Sequence, residues 1–190
     1  MRIGLLVFEG CDAMDVIGPY EVLLTANRLR ERAGLEALAD VVTVGEPCAF
    51  FGGLAVSPAY APEEAGDLDV LIVPGAIDID AASPDEALTA LAARTQVLAS
   101  VCTGAFFLRR AGLADDVVLT THWEDVEQLR ATGADVRDDV RWVDEGAVVS
   151  SGGISSGIAM TLHLVERFGD RELAEATARQ IDYVWTHERG

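Results

Sequence analysis

Residues 96–113, QVLASVCTGAFFLRRAGL, join an apolar run directly to a helical pattern, with one cysteine at the junction. The run 96–101 is short and almost wholly apolar, which is typical of a parallel strand that is covered on both faces. The helical pattern begins at Phe106, so only residues 102–105 are left for the connection. We therefore predict a strand, a tight turn and a helix in direct succession.

Similar apolar runs recur along the chain and alternate with helical patterns. The predicted strands cover residues 2–8, 40–45, 69–75, 96–101, 117–121 and 146–153. The predicted helices cover residues 16–32, 84–94, 104–112, 123–132, 154–168 and 170–185. This alternation indicates an α/β fold with a mostly parallel sheet and helices on both faces. We expect the first strand inside the sheet, and a hairpin or an irregular loop at residues 49–60.

Length and charge limit the classes of function. The chain has 190 residues, half of them apolar, and it contains no internal repeat or linker, so a single domain over residues 1–190 is expected. The 14 basic residues are all arginines and face 32 acidic residues, which gives a formal net charge of −18. We therefore expect no nucleic-acid partner, because the phosphate backbone attracts basic surfaces and repels acidic ones.

The sequence predicts neither a membrane span nor a secretion signal. No apolar run approaches the ~18 residues of a spanning helix. The first ten residues hold one basic residue and only a short apolar run before Glu9, so they lack the long apolar region and the cleavage site of a signal peptide. Three cysteines, Cys11, Cys48 and Cys102, cannot all pair within one chain, which favours a reducing, cytoplasmic setting. No metal or organic cofactor is expected, because the chain lacks a Cys/His metal spacing and a phosphate-binding loop.

Cys102 is the first candidate site residue. Ligands of parallel sheets bind at the carboxyl ends of the strands, where the predicted strand 96–101 meets its helix. A helix start lowers the pKa of a nearby thiol, so we expect a nucleophilic thiolate at Cys102. The alternative is a small buried hydrophobic residue, which is the common role of a free cysteine and the one expected for Cys11 and Cys48.

A second junction supplies candidate hydrogen-bond donors. The strand 69–75 ends in Pro74-Gly75-Ala76, where backbone amides can turn towards a neighbouring strand end. These amides would form half of an oxyanion hole, and the amide of Thr103 would form the other half. A simple turn is the alternative.

Asp15 and His122 are the remaining candidates. Asp15 follows the first strand, which we expect beside the strand that carries Cys102, and a carboxylate next to a thiol can hold or pass a proton. Alternatively, Asp15 is the N-cap of a helix that begins near Val16. His122 directly follows the predicted strand 117–121. One interpretation is that it supports catalysis or binds substrate at this strand end, and the alternative is that it forms only local hydrogen bonds. His163 is expected in the core, and His187 in a frayed tail.

Several fragments together resemble the ThiJ/PfpI superfamily of class I glutamine-amidotransferase-like proteins, and in particular its isonitrile (isocyanide) hydratase branch. They are FEGCDAMDVIGPYEVL (8–23), DVLIVPGA (69–76), VCTGAFFLRRAGL (101–113), TTHW (120–123) and SSGGISSGIAMTLHLVERFG (150–169). The aspartate before xxGP and the Cys-Thr pair are similar to the hydratase branch, whereas protease and deglycase branches generally carry glutamate. Ala76 departs from the family pattern, which commonly repeats glycine there.

The resemblance implies a flavodoxin-like three-layer sandwich and a homodimer that acts on a small molecule. It also implies that Cys102 is the nucleophile and Asp15 the acid beside it, and that an isonitrile becomes an N-substituted formamide through a covalent thioimidate. The alternatives are a glyoxalase or deglycase, an amidase or peptidase, and a non-catalytic redox or ligand sensor in which Cys102 is oxidised. Related regulators carry a helix-turn-helix region after this domain, which the chain to Gly190 is not expected to hold.

Overall fold

A computed structural model describes residues 1–188 of the chain. The strands are β1 (Arg2–Val7), β2 (Asp40–Gly45), β3 (Cys48–Ala49), β4 (Ala55–Val56), β5 (Leu68–Val73), β6 (Thr95–Val101), β7 (Val118–Leu119), β8 (Asp135–Val136), β9 (Trp142–Asp144) and β10 (Val148–Ser151). The α-helices are α1 (Ala13–Arg32), α2 (Asp85–Ala92), α3 (Gly104–Arg110), α4 (Val126–Ala131), α5 (Ser156–Phe168) and α6 (Arg171–Gln180).

The strands form one central sheet in the order β2-β1-β5-β6-β10-β9. Every pairing in it is parallel except that of β10 with β9, which is antiparallel. One apolar cluster includes buried residues of α1, α5 and α6, and a second includes those of α2, α3 and α4. The fold is therefore the three-layer, flavodoxin-like α/β sandwich that the sequence predicts, with β1 inside the sheet.

Several element boundaries differ from the prediction. The first helix begins at Ala13 instead of residue 16, because Asp12 is its N-cap and accepts the Met14 amide at 2.9 Å. The last helix ends at Gln180 instead of residue 185. The predicted strand 117–121 shortens to β7, which pairs with β8 outside the central sheet. The edge strand β9 was missed, because three residues are too few for a periodicity signal.

Three other expectations, for the segment 49–60, His163 and His187, can be compared with the structure. The segment 49–60 contains a hairpin, since β3 pairs antiparallel with β4. His163 is not a core residue: it is half-buried on α5, with Nε2 2.7 Å from the Asp144 carboxylate. His187 does not lie in a frayed tail, because its Nε2 is 3.0 Å from the Trp142 carbonyl oxygen and its ring contacts the Trp142 ring edge-on. No helix in residues 1–188 is long and apolar enough to cross a bilayer.

Gly104 allows helix α3 to lie close to the end of β5. A Cβ atom at this position would lie 2.4 Å from the Val73 carbonyl oxygen and 3.1 Å from that of Pro74. Because both neighbours are backbone atoms, Gly104→Ala is expected to destabilise the protein by about 1–3 kcal/mol, the usual cost of overpacking. Urea unfolding measures this change.

Gly18→Ala is the matched control for the Gly104 substitution. Gly18 also lies in a helix, but its nearest obstacle is Ile158 Cγ1 at 3.2 Å, a side-chain atom that can move. The control is expected to change the free energy of unfolding by less than about 1 kcal/mol. Equal stability of the Gly104→Ala variant and the wild type would contradict the close approach of α3 to β5.

Candidate active site

Cys102 occupies a strained elbow between β6 and α3. Its φ angle is +57°, and within residues 1–188 Asp182 is the only other non-glycine residue with positive φ. Such a conformation costs about 1–3 kcal/mol and is concentrated at functional sites. The Cys102 amide donates to the Ser151 carbonyl at 3.1 Å, and Thr121 Oγ1 donates to the Cys102 carbonyl at 2.8 Å. These bonds hold the thiol at the carboxyl end of the sheet.

Asp15 lies in the first turn of α1 and is fully buried. Asp12 fills the N-cap position, so the interpretation of Asp15 as the cap is wrong. The Gly75 amide donates to Asp15 Oδ2 at 3.0 Å, whereas Oδ1 is buried without a hydrogen-bond partner among the described residues. β5 lies between β1 and β6, so the expectation that these two strands are neighbours is also wrong. Asp15 instead reaches Cys102 across the end of β5.

Burial raises the pKa values of both acidic groups in this pair. The pKa of Asp15 is raised to about 7, chiefly by burial, while the Gly75 amide and the Cys102 thiol act in the opposite direction. The pKa of Cys102 is raised well above its ordinary value, first by burial and then by the negative charge of Asp15, and the Thr103 amide only partly offsets this. The predicted lowering of the thiol pKa by the helix start is therefore wrong: desolvation outweighs one short helix. Near neutral pH the pair holds a proton that it can deliver.

Thr103 connects the elbow to the end of β5. Its hydroxyl donates to the Ala76 carbonyl at 2.8 Å and accepts the Ala76 amide at 2.9 Å. The Gly75 amide is used by Asp15. The two amides expected to be free for substrate therefore donate within the protein, where they position Thr103 and Asp15.

His122 lies at the opening of the site. It caps the short 3-10 turn Trp123–Asp125 by accepting the Glu124 amide at its Nδ1 atom, at 3.4 Å. The same Nδ1 lies 3.4 Å from the Asp125 carboxylate. When Nδ1 accepts a hydrogen bond in neutral histidine, Nε2 carries the proton and can donate to a ligand.

A small pocket opens at these residues, with a volume of about 170 Å³. It is lined by Asp12, Ala76, Ile77, Cys102, Thr103, His122, Glu124, Asp125 and Ile154. Four of the residues predicted from sequence line the pocket, namely Cys102, Thr103, Ala76 and His122. Asp15 and Gly75 lie behind Cys102 and Thr103 and do not line it. The isoleucines and the carboxylates of the wall were missed. Asp12 had a local signal only as a helix cap, because aspartate is a preferred N-cap residue.

Gly153 keeps the space beside the thiol open. A Cβ atom there would lie 2.8 Å from Cys102 Sγ and 2.4 Å from His122 Cδ2. Gly153→Ala is therefore expected to displace the imidazole into the pocket and to slow alkylation of Cys102 by iodoacetamide about 100-fold, since misplacement by ~1 Å has effects of that size. Mass spectrometry of the Cys102 peptide measures the rate.

Ser155→Ala is the control for Gly153, because Ser155 is exposed in the same loop and its side chain makes no cap hydrogen bond. It is expected to leave the alkylation rate unchanged. A Gly153→Ala variant that is alkylated as fast as the wild type would contradict this geometry.

Comparison with known proteins places the chain in a family. The model of the DJ-1/PfpI family matches residues 1–167. The chain belongs to the DJ-1/PfpI family. Its structure is also similar to the crystal structure of a ThiJ/PfpI family protein from Pseudomonas syringae, with a TM-score of 0.81 and 26% identity over 96% of this chain and 74% of that one.

Curated relatives in the DJ-1/PfpI family include both an enzyme and regulators. The chain is 30% identical to an isonitrile hydratase of Pseudomonas putida, over 97% of this chain and 79% of that protein. It is also 30% identical to the HTH-type transcriptional regulator GbdR of Pseudomonas aeruginosa, over 95% of this chain but only 50% of the regulator. The family therefore includes catalytic and regulatory proteins with similar domains.

Proposed function

We propose that this protein hydrates small isonitriles to N-substituted formamides, with Cys102 as the nucleophile. The observation that carries the proposal is the pairing of a strained, buried thiol with a carboxyl group whose pKa is raised to about 7. The similarity to an isonitrile hydratase over 97% of the chain supports the same choice.

The reaction needs both a nucleophile and a proton at one carbon atom. In the first step the Cys102 sulfur bonds to the terminal carbon of R–N≡C, the thiol S–H bond breaks, and the proton reaches that carbon through Asp15. The product is the thioimidate R–N=CH–S–Cys102. A water molecule then adds to its carbon, the C–S bond breaks, and the thiol recovers its proton as R–NH–CHO leaves. Atoms balance, and no oxidant or metal is consumed.

The raised pKa of Cys102 suits this addition. Because the overall step adds sulfur and hydrogen to the same carbon, the enzyme needs the thiol proton as well as the sulfur. A permanently ionised thiolate would require another proton donor. Asp15, with its pKa raised to about 7, can accept the proton from sulfur and deliver it to carbon at neutral pH.

The direct test is turnover of small neutral isonitriles, with the formamide measured by chromatography and mass spectrometry. We expect formamide from the wild-type protein at a rate that scales with enzyme concentration. Methylglyoxal and small amides serve as comparison substrates for a glyoxalase, a deglycase and an amidase. Consumption of those compounds without any hydration of an isonitrile would overturn the proposal.

A ligand sensor is the second candidate function, and the similarity to GbdR over 95% of this chain favours it. In a sensor the same pocket would bind a small molecule without converting it. Ligand-dependent thermal stabilisation without product would support this function. Formation of product that depends on Cys102 would exclude a purely sensing role.

A further inference from the structure

Three carboxylates line the pocket that contains the thiol. We call Asp12, Glu124 and Asp125 the acidic rim. They come from two places in the chain, since Asp12 caps α1 while Glu124 and Asp125 belong to the 3-10 turn after His122. The fold therefore brings like charges together around one small opening.

His122 is the one basic side chain on the described wall of the pocket. None of the lining residues is an arginine, and the His122 imidazole, whose Nδ1 lies 3.4 Å from the Asp125 carboxylate and 3.8 Å from that of Glu124, can offset at most one of the three carboxylates. The α1 amides nearby carry about half a positive charge in total, and Asp12 itself caps them. Negative charge thus prevails at the opening.

The rest of the opening is apolar. Ile77 and Ile154 line the same pocket, and their side chains are exposed, with relative accessibilities of 60% and 39%. Exposed isoleucines beside carboxylates form a surface that suits an alkyl group carrying a positive charge. The negative charges of Asp125 and Asp12 also act on the reacting sulfur atom, because both raise the pKa of the Cys102 thiol.

We propose that the acidic rim selects the substrate by charge, so that the pocket accepts cationic alkyl ligands best, neutral ones less well, and rejects anionic ones. That the substrates are isonitriles rests on the proposed function. The charge preference itself depends only on the side chains that line the pocket. A cleft lined by charges of one sign raises the local concentration of oppositely charged ligands about 10-fold or more. The preferred substrates are then isonitriles with an ammonium substituent.

The charge preference can be measured without any turnover, through labelling of Cys102. The reagents are 2-(trimethylammonio)ethyl, 2-hydroxyethyl and 2-sulfonatoethyl methanethiosulfonate. Each transfers its ethylthio group to the thiol, forming a disulfide as methanesulfinate leaves. Rates are taken from the mass of the Cys102 peptide, which excludes labelling at Cys11 and Cys48, and are divided by the rates with free 2-mercaptoethanol.

The variant that tests the acidic rim carries Asp12→Asn, Glu124→Gln and Asp125→Asn. Asparagine at position 12 keeps a good N-cap. The matched control carries Asp116→Asn, Asp135→Asn and Glu63→Gln, three exposed carboxylates away from the pocket wall. Both variants change the formal net charge by the same amount, so the control measures the effect of the protein's overall charge.

We expect the wild type to react at least about 10-fold faster with the cationic than with the anionic reagent, and this ratio to fall in high salt. The ratio should fall about 10-fold in the rim variant and stay unchanged in the control variant. An unchanged ratio in the rim variant, or an equal fall in both variants, would overturn the proposal. Because labelling needs no isonitrile, a protein that hydrates no isonitrile would leave this result standing. A protein that hydrates cationic and anionic isonitriles equally would overturn the specificity alone.

Discussion

Replacing Cys102 by alanine is expected to lower isonitrile turnover at least about 1000-fold, because the reaction then lacks its covalent intermediate. Cys102→Ser should be as inactive, since an alcohol in this apolar elbow holds its proton more tightly than a thiol. Formamide release under saturating isonitrile measures both variants. Wild-type protein quenched during turnover should also carry a mass increase equal to one isonitrile on the Cys102 peptide.

Cys48→Ser is the control for the Cys102 variants. Cys48 is half-buried in the β3–β4 hairpin and does not line the pocket, so its loss is expected to leave turnover unchanged. A folded Cys102→Ala variant that retains turnover would exclude a covalent route through this thiol. The proposal would then lose its nucleophile.

The second large effect is expected at Asp15, where one substitution should change activity and stability in opposite directions. Asp15→Asn keeps an acceptor for the Gly75 amide but removes the group that carries the proton. Turnover should fall at least ~100-fold, the lower end of positioned acid–base catalysis. Kinetics at constant pH measure this loss.

Stability should rise in the same variant, and the rise should depend on pH. The pKa of Asp15 is raised from 3.8 to about 7 in the folded protein, so the folded state binds more protons than the unfolded state between these values. The contribution of Asp15 to the free energy of unfolding of the wild type therefore falls as pH rises from about 4 to about 7. Asparagine does not ionise, so the variant does not lose this free energy. The difference in free energy of unfolding between the variant and the wild type should grow in favour of the variant by about 2–3 kcal/mol from about pH 5 to about pH 8.

Glu21→Gln is the control for Asp15. Glu21 lies exposed on the same helix α1, and its substitution is expected to change neither turnover nor the pH dependence of stability. Urea unfolding of the three proteins at each pH isolates the Asp15 contribution, because all other groups cancel in the differences. Retained turnover or a pH-independent difference would contradict the role of Asp15 as a buried proton carrier.

The sequence alone determined the parallel sheet and the elbow at Cys102. Both depend on local information: apolar runs of strand length, helical periodicity, and a connection of only four residues between a strand and a helix. The candidates Asp15 and Thr103 were found because they lie beside the same kind of strand end and match a family pattern. In the structure both lie against the elbow. Asp15 is held there by the Gly75 amide after β5, and Thr103 directly follows Cys102 and is held by the Ala76 amide.

Only the tertiary structure decided how these groups behave. The direction of the Cys102 pKa depends on burial and on Asp15, which is 87 positions away in the chain, and no local pattern carries that information. The sequence predicts that the amides of Gly75 and Ala76 face a substrate, whereas in the fold they donate to Asp15 and Thr103. The acidic rim likewise exists only because the fold joins the start of α1 to the turn after His122. Desolvation and charge act through space, so they are fixed by which distant segments meet at the end of the sheet.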